Sequence, residues 1–459
     1  MRKFEPILVA LVAVLTAPGW SQANGASTAP LPLAGPGKVI ASDDAPDNDD
    51  RMLTPPPVSG QPFPTVPLSE ERSNYLYGGL AFTSAYTDNV LGAVNGRPLS
   101  DVSYSLAPML TLDQTTPRAH ELLTYAPGFT FYQRTSARDE ADQNASLNFD
   151  YRLSPHVSFS AIDRFQKSSN VFSNPDFVSA GTISGSTQPA NFSVIPPVAN
   201  LLINLGNATL TYQFGLNEMM GVNGTFANLH FANLAEVPGL YDASSQAGSA
   251  FFSYRVAPGH YVGTIYQYQR LVSYPTAGSL ETQTNAALLF YTYCPSRWFS
   301  VSFFGGPQYA NTVQPQPQPL LKGWTPAAGT SASWQGRMTA LAVSYSHSVA
   351  GSGGLIEAVH MDNASASLRQ QITKTLTGTV AGAYVQNDLL SSAILGFNSG
   401  HSIAATASLQ QRLGQHFTVQ LGYTRLHQSY SNVAVISLAP DTNREFFTLS
   451  YQFSRPLGK

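Results

Sequence analysis

Charge is what this chain of 459 residues has least of. It carries 24 Lys and Arg and 27 Asp and Glu, 11% of the total, where a soluble domain carries about 25%. It has one cysteine, Cys294, so no disulfide can form within the chain and a small stapled scaffold is excluded. Beyond the N-terminus no run approaches the roughly 18–20 consecutive apolar residues of a membrane-spanning helix, which excludes a helical membrane protein. Net charge is −3 and no basic patch is present, so no nucleic-acid partner is expected. Helical periodicity is missing as well. What the chain does have is aromatic residues, 22 Tyr, 25 Phe and 4 Trp, which set it apart from disordered sequences. Ser, Thr, Gln, Asn and Gly are in surplus. That set suits strands that are oily on one face and wet on the other.

The ends differ from the body. Residues 1–23 have the form of a secretory signal: Arg2 and Lys3, the short apolar run Ile7–Leu15, and small residues at Ser21 and Ala23. Residues 24–73 are rich in proline and carry the acidic run Asp43–Asp50, as in an extended, disordered periplasmic linker. Residues 1–73 hold 5 basic and 8 acidic side chains, while residues 74–459 hold 19 of each. The acidic character therefore belongs to the leader and linker.

From Tyr75 onward apolar residues recur with period two. Ala145, Leu147, Phe149, Tyr151 and Leu153 alternate with polar residues without a break, and Phe417/Val419/Leu421/Tyr423 and Phe447/Leu449/Tyr451/Phe453 repeat the pattern. About 18 strands (16–18) of roughly ten residues are expected, joined by short and long connections in strict alternation. Soluble β-sandwiches and propellers also alternate, but have no reason to be poor in charge. A transmembrane antiparallel up-and-down β-barrel accounts for both features: each backbone group must be paired within a closed wall, and turns are short on one side of the membrane and long on the other. The expected fold class is all-β, with this barrel over residues 74–459.

In this arrangement the small polar phase faces the lumen. The candidate lumen residues are Asp150, Arg152, Arg164, Gln420 and Gln452. The third long loop, Ser168–Leu205, is the longest; loops of such length are usually functional. Its residues Phe172, Asp176, Phe177 and Phe192 are candidates for a constriction of low charge. Arg270 and Arg425 continue the outward phase at the long-loop ends of their strands, where they are candidates for pairing with lipopolysaccharide phosphates. A phase slip near the strand end would also place them there. The last strand carries a candidate assembly signal, Phe447, Leu449, Tyr451 and Phe453, although Ser454–Lys459 follows it.

No catalytic, cofactor or metal constellation stands out. The nine histidines are scattered and none has metal-ligand spacing with Cys or a carboxylate. His347 between Ser346 and Ser348 is the nearest imitation of a hydrolase pair. Cys294 is expected at a short turn. The stretch Gly351–Gly354 follows no parallel strand and is expected to be a flexible external loop.

Several stretches carry a family likeness: Tyr86-Thr-Asp88-Asn89, Tyr125-Ala-Pro127-Gly128-Phe129, Phe304-Gly-Gly306-Pro307-Gln308-Tyr309, Ser344-Tyr345-Ser346, Gly351-Ser-Gly353 and Phe453-Ser-Arg455-Pro456-Leu457-Gly458. On these residues the chain resembles the large, mostly uncharacterised group of outer-membrane β-barrel porins of Gram-negative bacteria. The resemblance implies passive diffusion of small solutes through the barrel, with outer-membrane lipid, lipopolysaccharide and the barrel-assembly machinery as partners. A homotrimer is one assembly it allows, and a third loop folded into the barrel is one way such pores narrow. Polysaccharide export and a structural or adhesive barrel with a closed lumen are the alternatives.

Overall fold

The structure is a computed structural model in which the described residues are 74–457, apart from 91–97, 137–138, 169–192, 195–199, 276–277, 297, 314–320, 391–398, 432 and 434–440. The signal segment, the linker and the constriction candidates Phe172, Asp176, Phe177 and Phe192 lie outside the described residues.

Eighteen strands make one sheet. The first six are β1 (Tyr75–Thr87), β2 (Asp101–Thr115), β3 (Ala119–Tyr132), β4 (Glu140–Arg152), β5 (Val157–Ser168) and β6 (Leu201–Gln213). Then come β7 (Glu218–Phe231), β8 (Asp242–Ala257), β9 (His260–Tyr274), β10 (Leu280–Ser296), β11 (Phe299–Val313) and β12 (Leu321–Gln335). The rest are β13 (Thr339–Ala350), β14 (Val359–Gln371), β15 (Leu376–Leu389), β16 (Ser399–Leu413), β17 (Phe417–Tyr430) and β18 (Asp441–Pro456). Each pairs antiparallel with the next, and β18 pairs with β1 from Tyr75↔Pro456 to Thr87↔Arg444, which closes the barrel. Closure leaves no open sheet edge along that seam.

The strands run from 12 to 17 residues, longer than the ten or so expected from the sequence. The added length lies mostly at the long-loop end. Leu201–Ile203, read from sequence as part of the third long loop, open β6. Cys294 lies within β10, two residues before its end, and not in a turn.

Large apolar side chains on the outward phase are exposed: Leu80, Phe82, Tyr104, Leu106, Phe129, Phe131, Phe303, Leu421 and Phe447 are examples, and they recur on every side of the ring. Monomeric soluble proteins rarely expose contiguous apolar patches beyond a few hundred Å². A continuous apolar belt around a closed wall is instead the surface that hydrocarbon would cover.

The inward phase is held together by hydroxyls. Directly opposed residues share side-chain hydrogen bonds at Thr83–Thr448, Ser105–Thr130, Thr111–Thr124, Ser158–Thr211 and Thr282–Thr312. The same occurs at Thr292–Ser302, Ser300–Ser333, Ser344–Ser365 and Thr406–Thr424. Cross-strand pairs of this type contribute about 0.2–1 kcal/mol each. The Ser and Thr surplus is thus a property of the inner wall.

Candidate functional site: the lumen and its mouth

Every lumen candidate sits on the inward phase of its strand. Arg164 is opposite Ser146 and Leu205, Gln420 opposite Gln410 and Thr448, and Gln452 opposite Gly79. Asp150 and Arg152 are exposed near the short-turn rim. The same phase carries charges that sequence reading passed over: Asp113 and His120, whose side chains meet at 3.2 Å, and Arg255, Arg369 and Arg412. Near the long-loop rim it carries Asp101, Glu140, Asp142 and Arg444, the last over the Phe446 ring at 5.7 Å. The signal that would have found them is parity: each has the same phase as the Ser and Thr residues of its strand.

The inner wall is not uniformly polar, as the sequence had suggested. Across β7–β12 the inward residues Met219, Phe251, Ile265, Ala286, Leu288, Phe290 and Ala327 form an apolar cluster, with Tyr261 and Phe304 against it. The rings fit the wall because each faces a glycine on the neighbouring strand: Phe251 opposite Gly221, Phe290 opposite Gly263 and Phe304 opposite Gly329. A Cβ at any of these glycines would collide with the ring. Phe446 over Gly422 and Tyr430 over Gly400 repeat the device. An aromatic residue laid over a cross-strand glycine lines the lumen without filling it.

A buried cluster spans the mouth at the long-loop rim. Leu229 and Phe231 of β7, Val359 and Met361 of β14, Val385 of β15 and Tyr430 of β17 share one buried cluster with the loop residues Val194, Val237, Leu240, Leu355 and Val433. β7 and β14 are seven strands apart in a ring of 18, so this cluster crosses the barrel. Polar contacts pin it: Asn387 Nδ2 donates to Ser193 Oγ at 2.8 Å and to Tyr430 Oη at 3.1 Å, and the Tyr241 amide donates to the Gly354 carbonyl at 2.8 Å. Ser193 and Val194 belong to the third long loop and are 0% and 4% exposed. This part of the loop, which leaves the wall at β5, therefore reaches inward-facing residues of β15 and β17.

Gly351–Gly354 is not an external loop. Residues 352–355 are buried, as are Glu357 and Ala358. The reason is local: Gly353 and Gly354 take positive φ of 62° and 100°, which folds the segment back into the barrel. Leu355 then joins the apolar cluster, and the Ser273 hydroxyl anchors the Ile356 carbonyl at 2.5 Å.

The other candidates lie on the outside. Arg270 and Arg425 are outward near the long-loop rim, and each has an acidic partner: Glu281 at 2.6 Å and Asp441 at 3.0 Å. Phe447, Leu449, Tyr451 and Phe453 are outward and exposed on β18, which continues to Pro456. His347 points outward to Asp362 at 2.9 Å, whereas Ser346 and Ser348 have the inward phase, so the three do not converge. Among the described residues no group of three or more His, Cys, Asp or Glu is placed to hold a metal ion.

Fold and lumen together define the class: a closed, 18-stranded antiparallel β-barrel with an apolar outside, a hydroxyl-lined inside and a mouth narrowed by its own loops. No family model matches the chain, and no curated protein matches it. Solved structures with a similar architecture include Acinetobacter baumannii OccAB4, at 10% identity over 84% of this chain and 100% of that one, TM-score 0.41. Pseudomonas aeruginosa OccK11 (OpdR) matches at 10% identity over 86% and 100%, TM-score 0.42. P. aeruginosa OccK2 (OpdF), solved in complex with glucuronate, matches at 9% identity over 83% and 98%, TM-score 0.42.

Proposed function

We propose that this protein is an outer-membrane channel through which small solutes diffuse passively. The observation that carries the reading is the wall itself, closed over 18 strands with opposite chemistry on its two faces. Side chains alone fill barrels of about eight strands, whereas 16–18 strands leave an aqueous passage. A closed wall with an apolar exterior is one of only two ways a chain can span a bilayer. Asp150, Arg152, Arg164, Gln420 and Gln452 line the passage in this reading, and the third loop narrows it. Arg270 and Arg425 meet lipopolysaccharide, and the outward aromatic residues of β18 serve barrel assembly.

A second reading, a structural barrel with a closed lumen, is favoured by one observation: the apolar cluster across the mouth. Planar-bilayer recording of the purified protein separates the two. Stable conductance steps are expected of the channel. A folded protein that inserts and never conducts would support the closed barrel.

A further inference from the structure

We propose that the acidic run Asp43–Asp50 docks on a basic arc at the short-turn mouth of the barrel, so that the chain ahead of β1 competes with anionic solutes for that mouth. Topology builds the arc. Arg152 ends β4, Arg369 and Arg412 lie within two residues of the ends of β14 and β16, and all three have the inward phase. Arg118, Arg337 and Lys374 sit exposed in the short turns β2–β3, β12–β13 and β14–β15. In ring order these side chains run from β12 to β4 by way of β18, β1 and β2.

Few acids offset them. Asp113 and Asp150 face the lumen on the same arc, and His120 already meets Asp113 at 3.2 Å. Glu121 and Arg455 point outward and cancel. Across β6–β11, Arg255 is the only arginine or lysine at this rim among the described residues, and it donates to Asn217 Oδ1 at 2.9 Å. Positive charge therefore belongs to one side of the mouth.

The chain enters the wall on that side. β1 begins at Tyr75 on the short-turn rim, with β4 three strands away in one direction and β16 three in the other. At about 4.8 Å per strand, Arg152 and Arg412 lie roughly 15 Å from the entry point along the wall. Asp50 and Tyr75 are about 25 residues apart, and a coil of that length spans roughly 25–30 Å. The tether holds the run at a millimolar effective concentration, so weak individual pairs suffice. The charges also match. Asp43, Asp44, Asp47, Asp49 and Asp50 have no basic residue among them, and Arg51, Glu70, Glu71 and Arg72, between the run and Tyr75, cancel. Such pairs are screened by salt, the Debye length falling from about 10 Å at 0.1 M to about 3 Å at 1 M, so docking belongs to low ionic strength.

The docking rests on the wall and its charges, and its effect on passage rests on the channel reading. The full-length protein carrying Ala45→p-benzoylphenylalanine is irradiated at low salt and at about 1 M KCl, where screening is strongest, and the cross-linked peptides are mapped by mass spectrometry. Cross-links within one chain are expected at low salt, to the β2–β3 turn or to the ends of β4, β14 and β16. They are expected to be lost at high salt and when the aspartates of the run are all replaced by asparagine. Arg118→Glu with Arg412→Glu is expected to lose them too, with heat-modifiable migration checking the fold. In planar-bilayer recording, brief closures at low salt are expected to disappear in the asparagine variant. Cross-links that ignore salt and the asparagine substitutions, that fall on β6–β11 or on a second copy, or that never form would overturn the docking. Salt-sensitive cross-links in a protein that never conducts would keep the docking and remove the channel. Closures unchanged in a conducting asparagine variant would overturn the competition with solutes.

Discussion

Thr, Ser, Gly and Phe make the inner wall by two pairwise rules, hydroxyl opposite hydroxyl and ring opposite glycine. Neither can be read from one strand alone, because the partner is set by register. Parity along a strand could be read, which is why Arg164 and Gln420 were assigned to the inward phase before any partner was known. Sequence phase also placed Arg270 and Arg425 on the outside, where the proposed role is pairing with lipopolysaccharide. Arg270 and Arg425 are each partly satisfied by a carboxylate, which keeps the guanidinium in place and leaves further donors for a phosphate. Exposed ion pairs contribute about 0.2–1 kcal/mol each. Replacing both with alanine is therefore expected to reduce co-purified lipopolysaccharide by about twofold to thirtyfold. Lipopolysaccharide content unchanged on phosphate analysis of the purified variant would remove these residues from that role.

Strands and loops divide the legibility unevenly. Period two and the alternation of short and long connections fix where strands run, because one face must meet lipid and the other water. Loops carry no such constraint, so the fate of 351–358 could not be read from Gly351-Ser-Gly353. Burial of this loop depends on Leu355 finding Phe231 and Met361, which β7 and β14 bring from distant parts of the chain. The loop is expected to be a removable stopper. Leu355→Asp would bury an unpaired carboxylate, at a cost of several kcal/mol, and expelling the loop is the cheapest relief because it carries no strand pairing. Single-channel conductance is expected to rise severalfold with the barrel still heat-modifiable. Conductance equal to that of the unmodified protein would show that the stopper lies elsewhere.

At the scale of the whole molecule, the body is neutral by count yet polarised by position. Toward the short-turn rim the inner wall holds Arg152, Arg255, Arg369 and Arg412, with Arg164 midway, against Asp113 and Asp150. Asp101, Glu140 and Asp142 gather at the other rim with Arg444 as the one cation named among them. A unit charge about 4 Å away acts with about 1 kcal/mol in water, so a chloride-to-potassium permeability ratio of about two to five is expected. The reversal potential under a salt gradient measures it, and Arg164→Gln with Arg369→Gln and Arg412→Gln should move it toward zero. Cation preference in the unmodified protein would contradict this placement of charge. By itself the sequence determined the class of fold, because lipid excludes charge and demands closure, and both leave their mark on every strand. Which aromatic residues line the lumen and which loop residues reach across its mouth were decided only by tertiary structure. Those outcomes depend on registers and on contacts across the ring, and no local period records them.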